Sequence, residues 1–106
     1  MSEDKVKEFV HNFLWKFWKN NAPDKAKYRA DTVRRLQTFL KEHPNYTLDD
    51  IKKAVLYYFE TTNPKYIRFP NYFVWKGTKT LSDLEEILEN IEERDEAKKN
   101  RNYNIL

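Results

Sequence analysis

Residues 57–77 read YYFETTNPKYIRFPNYFVWKG. Eight aromatic side chains (Tyr57, Tyr58, Phe59, Tyr66, Phe69, Tyr72, Phe73 and Trp75) stand there beside Lys65, Arg68 and Lys76, with prolines at 64 and 70. Rings in this density either plug a small core or present flat faces to a nucleic-acid strand, whose phosphates the cations would follow. The backbone reading decides the fold class. Asn63-Pro64 stops whatever helix precedes it, because the residue before proline avoids the α region. Beyond it, Tyr66, Ile67, Phe69 and Phe73 fit short helical turns separated by Pro70. The same residue types also fit two extended runs. A two-stranded ribbon would be the only sheet in the chain and marginal by itself, so helical turns are the preferred reading of an irregular segment over 63–79.

Outward from that segment, the spacing predicts four helices, at about 3–20, 23–42, 48–61 and 83–97. Val6, Phe9, Val10, Phe13, Leu14 and Phe17 form one apolar stripe on the first, at helical spacing. Ser2 stands at its capping position, and Trp18 and Trp15 fall beside and nearly opposite the stripe. Pro23 is suited to a helix start, with Ala26, Ala30, Val33, Leu36 and Leu40 inward, Phe39 at the border, and Lys25, Lys27, Arg29, Arg34, Arg35 and Lys41 outward. Thr47-Leu48-Asp49-Asp50 resembles a capping box with Asp in place of Glu, and Ser82-Asp83-Leu84-Glu85 is a full one. The third helix buries Leu48, Ile51, Ala54, Val55, Tyr58 and Phe59, and the fourth Leu84, Ile87, Leu88 and Ile91. The whole is a small all-α domain over 1–97, with a flexible tail at 98–106 and Gly77-Thr78 as a flexible point.

At 106 residues with 17 Phe, Trp and Tyr and one glycine, bulky rings supply a core that a chain of this length could not otherwise make large. There are no cysteines, which excludes disulfides and thiolate chemistry. No signal-peptide core or membrane span is visible, and a cytoplasmic protein is expected. The net charge of +3 is uneven: residues 1–79 hold 16 Lys/Arg against 9 Asp/Glu, and residues 80–106 hold 4 against 8. A basic body suits phosphate or another anionic partner.

Catalysis needs a positioned acid, base, nucleophile or metal. The two histidines, His11 and His43, lie on different elements, and no metal-ligand spacing, phosphate loop or nucleophile elbow occurs. The expectation is a non-enzymatic protein with no cofactor and no metal. A helix-turn-helix over the second and third helices would put Leu48-Asp49-Asp50 against DNA, where phosphate repels the carboxylates. The Lys/Trp mix of the first helix is compatible with a membrane surface, though a protein partner suits it better.

The run IKKAVLYYF…NPKYIRFPNYFVWKG, from Ile51 to Lys76, resembles the C-terminal segment of phage replisome-organiser and helicase-loader proteins. Those pair an amphipathic helix with a Tyr-Ile-x-x-Pro-x-x-aromatic segment, matched here by Ala54, Tyr58, Tyr66, Ile67, Pro70 and Phe73. The family's Trp-Leu-Asn after the proline is replaced by Phe73-Val74-Trp75. The resemblance implies a phage-type accessory protein working in the host cytoplasm. The sequence expectation is therefore binding of nucleic acid, single-stranded DNA preferred, or of a DNA/RNA-processing complex. Arg29, Arg34, Arg35, Lys52, Lys53, Lys65 and Arg68 are the candidate phosphate contacts, and Tyr57, Tyr66 and Trp75 the candidate stacking rings. The alternative is a protein–protein adaptor or an inhibitor of a host enzyme, acting through Trp15 and Trp18 or the acidic last helix.

Overall fold

The structure, a computed structural model, describes residues 3–75 and 81–91. Ser2, Gly77-Thr78, positions 92–97 expected to end the last helix and positions 98–106 expected as a tail lie outside the described residues. Helices account for most of the described chain, with no strand among those residues. The protein is a small all-α domain.

The first helical rod joins α1 (Glu3–Phe9), a π-helical segment (Val10–Leu14) and α2 (Trp15–Asn21) without a break. Trp15 N–H donates to the Val10 carbonyl, five residues back. This wider turn alters which side chains face inward. At ~100° per residue, steps of four drift by ~40° each and carry Trp18 ~120° away from Val6. A π turn advances roughly 85° per residue, and five such residues recover about 75° of that drift. Val6, Val10, Leu14 and Trp18 are therefore all buried, and Phe9, Phe13 and Phe17 flank them half-buried. The expected stripe was centred one residue away, and Trp18 is core, 0% exposed. As a partner contact it is corrected.

Pro23 opens only a 3-10 turn, Pro23–Lys25. The backbone then leaves the helical region at Ala26 (φ −79°, ψ 72°), and Tyr28 takes a left-handed conformation (φ 64°, ψ 44°). The second long helix, α3 (Arg29–Glu42), therefore starts at Arg29, six residues after the proline that the sequence marks. Its buried residues are Thr32, Leu36, Phe39 and Leu40, while Val33 is half-buried and Ala30 exposed. Phe39 thus belongs to the core. Thr32 is tolerated there because its buried hydroxyl is paired, donating to the Tyr28 carbonyl at 2.7 Å, as buried polar groups require.

α4 (Leu48–Thr61) starts where expected. The Thr47 hydroxyl accepts from Asp50 N–H at 3.3 Å, and the Asp50 carboxylate accepts from Thr47 N–H at 2.9 Å. That carboxylate is committed to the cap. Beyond α4, a 3-10 turn (Pro64–Tyr66) and α5 (Pro70–Val74) replace the ribbon alternative with short helical turns. A last helix, α6, is described over 83–91, where Glu85 N–H donates to Ser82 Oγ at 3.1 Å. The Glu85 carboxylate lies 3.5 Å from His43 Nε2, at the end of α3.

Trp18 is the hub of the core. Its ring centroid lies 4.8 Å from Phe59, 5.5 Å from Phe73 and 6.2 Å from Tyr58. Tyr58 and Phe73 are 4.6 Å apart. The aromatic stretch thus closes over the first rod, with Ile67, Phe73 and Val74 buried.

Candidate nucleic-acid interface

The surface of interest begins where the aromatic stretch meets the core. Asn63 Oδ1 accepts from Lys65 N–H at 3.0 Å and starts the Pro64–Tyr66 turn. Ile67 then drops into the core. Both backbone polar groups of the next residue are pinned from below. Arg68 N–H donates to the Tyr58 hydroxyl at 2.9 Å, and the Arg68 carbonyl accepts from Trp18 Nε1–H at 2.9 Å. Burial, with the Asp83 carboxylate adding to it, pushes the Tyr58 hydroxyl up to about 12, partly offset by the hydrogen bond from Arg68 N–H. The hydroxyl stays protonated and neutral at ordinary pH. With the chain held by two buried aromatic groups, the side chains around Ile67 have nowhere to go but outward.

They line an open groove of about 400 Å³ between Lys25, Lys65, Tyr66, Arg68, Phe69 and Tyr72, floored by Ile67. Among the described residues no acidic one lines it. Tyr66 is 72% exposed, the most exposed large ring among the described residues, and Tyr72 is at the surface beside it. Lys25 Nζ sits 4.7 Å from the Phe69 ring centre, and the Arg68 guanidinium 5.4 Å from that of Tyr72. Arg68 is also held from the side by Asp83 at 3.0 Å, so its charge is shared while its plane remains beside Tyr72. The groove therefore offers cations and ring faces together, on a backbone that the core keeps in place.

The sequence-derived candidates are not gathered on one face. Lys65, Tyr66 and Arg68 are in the groove. Arg35 is a structural residue: its guanidinium contacts the Asp31 carboxylate at 2.8 Å and donates to the Trp75 carbonyl at 2.6 Å, and Asn71 donates to the same carboxylate at 2.9 Å. This network fastens α5 to α3. As a phosphate contact Arg35 is corrected, because its half-buried guanidinium faces Asp31 through Nε and the Trp75 carbonyl through Nη1. The Arg34 guanidinium beside Asp31, with the Asn71 amide, holds that carboxyl below the usual aspartate range. Arg34 itself is 73% exposed but paired with Asp31. Trp75 is half-exposed and lies over Arg35. It lines a different cleft of about 160 Å³ with Arg34, Arg35, Thr38, Phe39, Glu42 and Glu85. Lys52 sits over Phe13 on the seam between the first rod and α4. Neither Lys53 nor the half-buried Tyr57 lines the groove. Arg29 stacks over the half-buried Trp15 ring at 5.7 Å.

The sequence pattern puts Lys25 in the outward basic strip of a helix, a solvated face or a phosphate contact, and Phe69 in the core, and marks no role for Tyr28. The Lys25 and Tyr28 positions depend on the irregular stretch 26–28, which no residue pattern marks. Of the positions that carry the phage resemblance, Ala54, Tyr58, Ile67, Pro70 and Phe73 are buried and Tyr66 is exposed. Buried positions report packing. No family model, curated protein or solved structure matches this chain. Among the described residues no helix is long and apolar enough to cross a membrane.

Proposed function

We propose that this protein is a non-catalytic accessory protein that binds single-stranded nucleic acid, DNA in the first instance, along the groove of Lys25, Lys65, Tyr66, Arg68, Phe69 and Tyr72. The observation that carries the reading is the coexistence of three cations, Arg68 among them shared with Asp83, and three accessible or half-accessible rings in a groove lined by no acid among the described residues. Stacking on such rings contributes ~1–3 kcal/mol per base and tolerates any sequence, because every base has a π face. Unstacked bases are available in single strands and not in a duplex, so the groove selects single strands without reading sequence. The setting that fits the phage-type resemblance of 51–76 is a replication or other nucleic-acid-processing complex in the cytoplasm, the host's if the protein is phage-encoded.

The test is a fluorescence-anisotropy titration of labelled oligothymidylate at several salt concentrations. Three phosphate contacts on a single strand give a slope of about −2 in log K against log[salt], or roughly a tenfold to twentyfold loss between 50 and 200 mM. A Lys25→Gln/Lys65→Gln double variant should flatten that slope by more than half. Absence of binding at 50 mM salt, or a slope untouched by the double change, overturns the reading. Capture of a protein partner that survives nuclease and high salt, with no oligonucleotide binding, would move the function to the adaptor class.

A further inference from the structure

Tyr28 is the one non-glycine residue with positive φ among those described. A left-handed backbone is disfavoured for a bulky side chain and persists only where the surroundings demand it. The local demand is for backbone shape alone. The Tyr28 carbonyl accepts from Thr32 N–H at 2.9 Å and from the Thr32 hydroxyl, which starts α3. Glycine or asparagine would supply that shape with less strain. The ring is what the fold does not explain. It is 56% exposed and stands edge-on to Phe69 at 5.2 Å.

Its position joins two surfaces. On one side is the groove, through Phe69 and its partner Lys25. On the other, the adjacent residue Arg29 lies over Trp15. The Lys25–Phe69, Arg68–Tyr72 and Arg29–Trp15 pairs each set a cation beside a ring, the unit that serves one base and its neighbouring phosphate. The nearby acids are Asp24, exposed beside Lys25, Asp83, paired with Arg68, and Asp31, paired with Arg34 and Arg35.

We infer that the strand track does not end at the groove but continues across Tyr28 to the Trp15–Arg29 pair, with the Tyr28 ring as the stacking platform at the junction. The inference rests on the single-strand reading above and names the ligand more narrowly: a single strand long enough to occupy both surfaces. The experiment uses oligothymidylates of about 4 and about 12 nucleotides, within the range of known single-strand site sizes. It compares wild type with Tyr28→Gly, Tyr28→Asn and Arg29→Gln. Gly and Asn keep the left-handed backbone and remove the ring, so melting temperatures should stay level or rise.

The expected result is a loss of about tenfold for the long strand in both Tyr28 variants, with less than about twofold for the short one. Arg29→Gln should reduce the salt slope for the long strand only. Comparing variants at one length removes the statistical advantage of the longer strand. Variants that bind both lengths as wild type does, or lose both equally, overturn the extension and leave the groove intact. Failure of the wild type to bind either length at low salt overturns the underlying reading instead.

Discussion

Replacing Trp18 with Phe separates the two tryptophans of the first rod, which the sequence treats as a pair. The change removes the indole N–H that satisfies the Arg68 carbonyl at 2.9 Å. A buried acceptor left without its donor costs roughly 1–3 kcal/mol. The smaller ring also leaves a void of roughly 40 Å³, which at ~24 cal/mol per Å³ adds about 1 kcal/mol. The sum is about 2–4 kcal/mol, a large part of the stability of a domain of this size, and corresponds to a fall in Tm of roughly 10–25 °C. Urea and thermal unfolding followed by circular dichroism measure it. Trp15→Phe is the control, since that ring is half-buried under Arg29, and it should cost less than about 1 kcal/mol. A cost below 1 kcal/mol for Trp18→Phe, or an equal cost for Trp15→Phe, would refute the placement of Trp18 at the hub and with it the pinning of the groove backbone.

Two pH responses follow from the same geometry. Asp31 has a carboxyl held below its ordinary value by Arg34 and Asn71, so the folded protein binds its proton less readily than the unfolded chain. That contribution is complete above the ordinary aspartate value near ~3.9 and is lost as pH falls below it toward the folded value. Acid unfolding of Asp31→Asn should lack this component, and identical acid curves for the two proteins would contradict the network. Tyr58 is the opposite case, with its folded value raised from about 10 to about 12. Its contribution is complete below pH ~10 and declines by ~1.4 kcal/mol per pH unit between ~10 and ~12. Tyr58→Phe should flatten urea-unfolding midpoints across that window, and an unchanged alkaline decline in the variant would show that another group is responsible.

Much of the fold was legible because helix signals here are local. The capping residues Thr47 and Ser82, the breakers at Pro44 and Pro64, and the apolar spacing of 48–61 each act within a turn or two of their own position. Two features were not legible, and both are departures from regular backbone. The π turn at Val10–Leu14 rotates Trp18 inward, and nothing in VHNFL distinguishes it from an α-helical run. The left-handed Tyr28 delays α3 to Arg29 and so moves Lys25 off the helix and onto the groove. The candidate site divides along the same line. Lys65, Tyr66 and Arg68 could be picked out because they stand together in the sequence. Arg35 misled because a basic strip on a helix looks alike whether its guanidinium faces water or, as here, meets Asp31 and the Trp75 carbonyl.

The central claim is that one face of this fold, from Lys25 to Tyr72, receives a single strand. The most direct measurement is a two-dimensional amide NMR titration of the labelled protein with oligothymidylate at low salt. Shifts should concentrate at residues 25–29 and 65–72 and diminish on adding salt. Shifts centred instead on the Arg34–Trp75 cleft, or no shifts at all under those conditions, would contradict it.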